Sequence, residues 1–186
     1  MPSPTENISS TRRLAFLAIL STSAFVVGTI ESRFPLPFPG MRLGIANAFP
    51  LTALLLFSPK DAITVAAARL FLAFFLSGNP FAFACSAAGL GLSLPIAVAL
   101  DGRNRRSPDT FSVPAISVAS AAGFNLGQIL AAVSLTKTPA LFTYLPFLLA
   151  AALPTGYAVG KLAETLTGRL EKLLYNLEQR RNGGVR

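Results

Sequence analysis

The chain has 186 residues, of which 52% are hydrophobic and 13% charged, and its formal net charge is +8. A soluble domain carries charge on about a quarter of its residues. Here the mean hydropathy is +0.57 and the apolar residues fall in long blocks, a composition that excludes an ordinary soluble domain and indicates a polytopic, all-α membrane protein. The sequence has no His, which rules out Ser-His-Asp and Cys-His catalysis, and its single cysteine, Cys85, lies in an apolar block, so neither a disulfide framework nor a thiolate metal site is expected. Most Lys and Arg flank apolar segments, where they set membrane orientation and meet lipid headgroups; no nucleic-acid partner and no cofactor is expected.

In chain order, residues 1–13 form a polar N-terminal segment ending in Arg12-Arg13, and a six-helix membrane domain occupies residues 14–160. The first span is Leu14 to Ile30. A basic stretch before an apolar run also describes a signal peptide, with Ser21 to Ala24 as a small-residue cleavage site, but the run continues to the length a spanning helix needs. Residues 31–47 follow, with Pro35, Pro37 and Pro39 in alternation; each fixes φ and pushes its predecessor toward an extended conformation, so a stiff outer lid loop is expected. The second span, Gly44 to Phe57, is short and contains Pro50, which favours a kinked or tilted helix. Asp61, in the turn Ser58-Pro-Lys-Asp61, is placed to cap the third span, Ala62 to Leu76. The fourth runs from Phe81 to Leu100 and ends in a polar loop, Asp101 to Asp109; the fifth is Phe111 to Leu135 and the sixth Ala140 to Val159. Residues 161–186 read as a basic amphipathic helix lying along the membrane surface, with Leu162, Leu166, Leu170, Leu173, Leu174 and Leu177 at helical spacing. The positive-inside rule puts both termini in the cytoplasm and the 31–47 loop outside.

Several polar residues stand out. Arg69 lies near the middle of the third span, where its cost is about 2.5–3.5 kcal/mol unless it faces the bundle or a wet cavity; it is either a structural Arg tied to Glu31 or backbone carbonyls, or an anion-binding group. On the fifth span Ala119, Gly123, Gly127 and Ala131 recur every four residues as a helix-packing ladder. Asn125 and Gln128 share another face and either line a cavity or join helices by hydrogen bonds. Glu31, Arg42, Asn47, Ser86 and Tyr144 fall toward the outer side, and the inner half offers few polar groups, which describes a pocket open to the outside.

Glu31-Ser32, the Pro-Leu-Pro-Phe-Pro-Gly run ending at Gly40, Arg42-Leu-Gly-Ile-Ala-Asn47, Pro59-Lys-Asp-Ala62 with Arg69, Ser77-Gly78, Ser86-Ala-Ala-Gly89 and Asn125-Leu-Gly-Gln128 together resemble the Gx transporter family, also labelled heptaprenyl diphosphate synthase component I. The resemblance spans Leu14 to Gly160, with one departure: Phe124 stands where the family usually has His. It implies a bundle similar to the S components of energy-coupling-factor transporters. Those hold a small vitamin-like ligand near the outer face under the loop between helices one and two. They dock on a transmembrane coupling protein driven by cytoplasmic ATPases, and by analogy Ala18 and Thr22 would face that partner.

The expected function is therefore a non-catalytic uptake subunit in a bacterial-type cell membrane, binding a small anionic or vitamin-like ligand through Glu31, Arg33, Phe38, Arg42, Asn47, Arg69, Ser86, Asn125, Gln128 and Tyr144. No Walker motif is present, so energy comes from a partner. The alternative is an accessory membrane component of polyprenyl diphosphate or quinone synthesis. The eight acids are too scattered for the carboxylate cluster that a Mg-diphosphate site needs, which argues against a catalytic synthase.

Overall fold

Backbone donors and acceptors in hydrocarbon must be satisfied within the chain, so long apolar runs fold as helices. The computed structural model describes residues 10–33, 44–107 and 110–183, and these form six α-helices: α1 Ser10–Glu31, α2 Ala48–Leu56, α3 Pro59–Ser77, α4 Pro80–Arg106, α5 Val113–Thr136 and α6 Leu145–Gly183. Short 3-10 turns, Ile45–Asn47 and Pro139–Tyr144, lead into α2 and α6. The α1, α4 and α5 helices and the Pro139–Leu177 segment are long and apolar enough to cross a membrane. By contrast α2 has only 9 residues, and α3 carries Lys60, Asp61 and Arg69 within its 19. The helix number matches the expected six, and four of them have the length and apolarity of a span.

Local chemistry explains the ends. Ser58, not Asp61, is the N-cap of α3: its Oγ accepts from the Asp61 amide at 3.4 Å, and Pro59 takes the first helical position. The Asp61 carboxylate is instead held by Arg13 of α1 and by the Ser58 hydroxyl. Gly78, with φ +60°, ends α3 in the left-handed conformation, and the Asn79 side chain caps α4 by accepting from Ala82 N at 3.0 Å.

Two expectations are corrected. The polar stretch from Asp101 is not a loop until Ser107: α4 continues to Arg106, with Asp101 buried and paired to Arg105 at 2.7 Å, Arg105 donating to the Leu54 carbonyl, and Asn104 clamping both backbone groups of Phe111. Nor is the basic tail a separate helix. It continues α6, whose 39 residues extend about 58 Å at 1.5 Å per residue, nearly twice the roughly 30 Å hydrocarbon thickness. Part of its apolar stripe packs on the bundle: Ala163 and Leu166 join a core with Leu54, Ala62 and Ile116, and Leu170 meets the cluster of Leu17, Leu20 and Val65. Leu174 is buried, whereas Leu162 and Leu173 stay exposed.

Backbone contact holds α4, α5 and α6 together. A Cβ on Gly127 would collide with the Ala88 carbonyl of α4, and one on Gly123 with Ile96. On the other side, Gly156 lies against Val118 and Gly160 against Pro114, so α6 approaches α5 as closely as α5 approaches α4. The α1–α2–α3 half joins them through larger side chains, including Phe74 of α3 and Phe83 of α4 with ring centroids 4.9 Å apart.

Candidate functional site

Between the two halves lies a cavity of about 300 Å³, to which all six helices contribute. Each contributes one face at helical spacing: Phe25, Gly28 and Thr29 from α1; Pro50, Leu51 and Leu54 from α2; Arg69, Ala73 and Phe74 from α3; Ser86, Leu90, Ser93 and Ala97 from α4; Ser117, Ser120, Ala121, Phe124 and Asn125 from α5; Thr155 and Val159 from α6. Lining residues at the ends of α1, α3 and α4, namely Ser32, Ser77 and Asn79, are exposed, whereas Leu54, Ala97, Ser117 and Val159 are buried. The mouth is therefore at the α3–α4 turn and the floor at the opposite end.

That opposite end is closed and basic. Arg13 bridges α1 to Asp61 and Ser58 at the start of α3, and Arg105 of α4 reaches Leu54 of α2. Arg12, Lys60, Arg103 and Arg106 belong to the same helix ends, whereas the mouth end carries only Arg33 and Lys137 among the described residues.

The sequence-expected residues separate into groups. Glu31, Asn47, Arg69, Ser86 and Asn125 all line the cavity. Glu31 is 8% exposed and accepts hydrogen bonds from the amides of Gly44 and Ala46, the latter at a long 3.5 Å. Its charge thus sits against the amide-rich start of the turn leading into α2, a favourable place for an anion, and ties together the two ends of the 31–47 stretch. Arg69 is 9% exposed, a guanidinium in the wall of a mostly carbon-lined space. Asn125 faces the cavity and also donates to the Leu148 carbonyl of α6 at 2.8 Å, so lining and interhelical bonding coexist in one side chain.

Gln128 is buried but away from the cavity wall, Arg33 is exposed, and Tyr144 stands at the end of the second 3-10 turn, 36% exposed and also outside the wall. Phe38, Arg42 and the proline run lie outside the described residues. Ala18 and Thr22 are exposed on α1. Phe124 is buried in the wall, its ring against Gly89, where a Cβ would come within 2.8 Å.

Sequence reasoning missed the hydroxyls of the inner half: Ser93, Ser117, Ser120 and Thr155. Small hydroxyl residues do not interrupt an apolar run, so they carry little weight in a hydropathy reading. The available signal was positional: Ser86 and Ser93 are seven apart on one face of α4, and Ser117, Ser120, Ala121, Phe124 and Asn125 follow the i, i+3, i+4, i+7, i+8 pattern. Ser120 and Thr155 donate to their own helix at the carbonyls of Ile116 and Ala151. Among the described residues no three His, Cys, Asp or Glu side chains converge as a metal-holding group.

No curated protein and no solved structure matches the chain. The profile of one family does match, over residues 20–166, which takes in every residue of the cavity wall and most of the chain. This helical membrane protein belongs to the family described as heptaprenyl diphosphate synthase component I.

Proposed function

We propose that the chain is a non-catalytic binding and uptake subunit that takes a small anionic or vitamin-like ligand from the outer side of a bacterial-type cell membrane. Partner proteins would supply the energy, as in energy-coupling-factor transporters. The observation that carries this reading is the cavity itself, a ligand-sized space built from all six helices, with Arg69 in its wall. Guanidinium groups bind carboxylate and phosphate in bidentate fashion, which fits an anionic ligand. The gathering of basic residues at the closed end supports an orientation with that end, and both termini, in the cytoplasm. Exposed Ala18 and Thr22 on α1 are then available to a transmembrane coupling protein.

The family description is also compatible with a second reading, an accessory membrane component that serves a soluble polyprenyl diphosphate synthase. Purifying the tagged chain with its native partners separates the two. Recovery of a membrane coupling protein with ATPase subunits is the expected result; recovery of a soluble prenyl synthase without them would overturn the uptake reading in favour of the second.

A further inference from the structure

We infer that the part of α6 beyond Gly160 is a strap across the closed end of the cavity: docked, it seals the floor, and released, it opens a way out on that side. This rests on reading the cavity as a ligand site. Gly160 lies against Pro114 in the first turn of α5, so beyond it α6 has no α5 to follow. The helix runs on across the other helices instead. Ala163 and Leu166 join the cluster that holds Leu54 of α2, Ala62 of α3 and Ile116 of α5. Leu170 packs on a second cluster, drawn from α1, α2 and α3 and containing Leu17, Ala53 and Val65. With the buried Leu174 these residues stand at i, i+3, i+7 and i+11, one face of the helix.

The floor above that face is one layer of side chains thick. Leu51, Leu54, Leu94, Ala97 and Val159 line the cavity and are packed in the same cluster as Ala163. The strap is also fastened differently from the other joints at this end. Arg13 bonds to Asp61 and Ser58, and Arg105 to Asp101 and the Leu54 carbonyl. The described side chains of the strap hydrogen-bond only within it: Lys161 to Glu164 at 2.8 Å, Thr165 to the Lys161 carbonyl and Gln179 to Tyr175. Apolar contact is non-directional. Among the described residues, the strap can therefore lift without breaking an ion pair or leaving a buried charge behind. Its far face carries the exposed Lys161, Glu164, Arg169, Glu171 and Lys172, which stay in water in either position.

The test is thiol labelling of the full chain in sealed membrane vesicles of both orientations, with a membrane-impermeant maleimide as probe and Cys85→Ala as background. The exposed position Lys172→Cys identifies the preparation that presents the strap to the medium. From that side two reporters are read: Ala163→Cys, buried under the strap, and Ala97→Cys in the floor. Leu174→Ala is expected to raise both labelling rates about tenfold or more, although Leu174 lies eleven residues beyond Ala163 on the helix. Leu174→Met, which keeps the bulk, leaves both rates unchanged. From the mouth side Ala97→Cys labels equally in all of these chains. Cys85, buried on α4 and kept as the only thiol, stays unlabelled in Leu174→Ala; if it does label, the milder Leu174→Val replaces that variant, with a rise of about threefold expected. Unchanged rates at both reporters would show the tail to be a fixed brace. A faster Ala163→Cys with Ala97→Cys unchanged would show a tail that moves without sealing the floor. Either result overturns the inference, and neither touches the reading of the cavity as a ligand site, because the rates are read whether or not a small molecule is bound.

Discussion

The two halves of the bundle are joined by different means, and the difference explains where the cavity is. In the α4–α5–α6 half, glycines allow close approach: Gly127 against the Ala88 backbone and Gly123 against the Ile96 side chain of α4, Gly156 and Gly160 against the backbone of α5. The α1–α2–α3 half meets the other through a mixed core of leucines and alanines around Leu54, Ala62, Ala97 and Ile116, through the Phe74–Phe83 pair and through the Arg105–Leu54 bond, and about 300 Å³ remains between them. Glycine contacts let helices close on each other, and on the uptake reading proposed above the space left at the boundary between the halves is where the ligand belongs.

The harshest way to break this contrast is Gly127→Leu. The new side chain has to displace the Ala88 carbonyl of α4, and a loss of about 3 kcal/mol or more is expected, read as a lowered midpoint of thermal unfolding in detergent or as failure to accumulate in the membrane. Ala121→Leu, six residues earlier on the same helix, adds comparable bulk on the cavity side. It should leave unfolding nearly unchanged and weaken binding of the co-purifying ligand by more than about tenfold, or about 1.4 kcal/mol, because it occupies the ligand's space. Arg13→Ala probes the looser half. Asp61 is buried and keeps only Ser58 after the change, but the Arg13 side chain is 45% exposed, so a destabilisation of about 1 kcal/mol is expected. The mildest is Gly91→Ala, an exposed helical glycine with nothing within 4 Å of its would-be Cβ, where unfolding should rise by up to about 1 kcal/mol. Equal effects at Gly91 and Gly127 would erase the distinction between packing and spacer glycines.

Much of this was legible before the fold was seen, and the failures have physical causes. Long apolar runs marked α1, α4 and α5, and the four-residue ladder of α5 named Gly123 and Gly127, the two glycines that touch α4. The continuity of α6 was hidden because Gly160 and Lys161 look like a helix end. In the bundle Gly160 marks a close approach to Pro114, and the helix runs through it. The stretch Asp101 to Arg106 looks like a loop by composition, yet Arg105 and Asn104 hold it helical through contacts that arise only once α2 and α5 are in place. At the site, charge and amide groups drew attention to Arg69, Asn47 and Asn125, while Ser93 and Ser117 matter only because a cavity happens to face them. A depth argument from hydropathy placed polar groups in the outer half; the structure adds hydroxyls to the inner half as well.

The central claim is that this cavity holds a small anionic molecule in which Arg69 takes part. Native mass spectrometry of the chain, gently purified from its host membrane, tests it most directly, with Arg69→Gln as the paired sample. The account predicts a bound small molecule on the unaltered chain whose occupancy falls by more than about tenfold in Arg69→Gln, since removing one partner of a buried charge contact costs about 3–5 kcal/mol. An unaltered chain with no small molecule bound, or a bound molecule held equally by both samples, would contradict it.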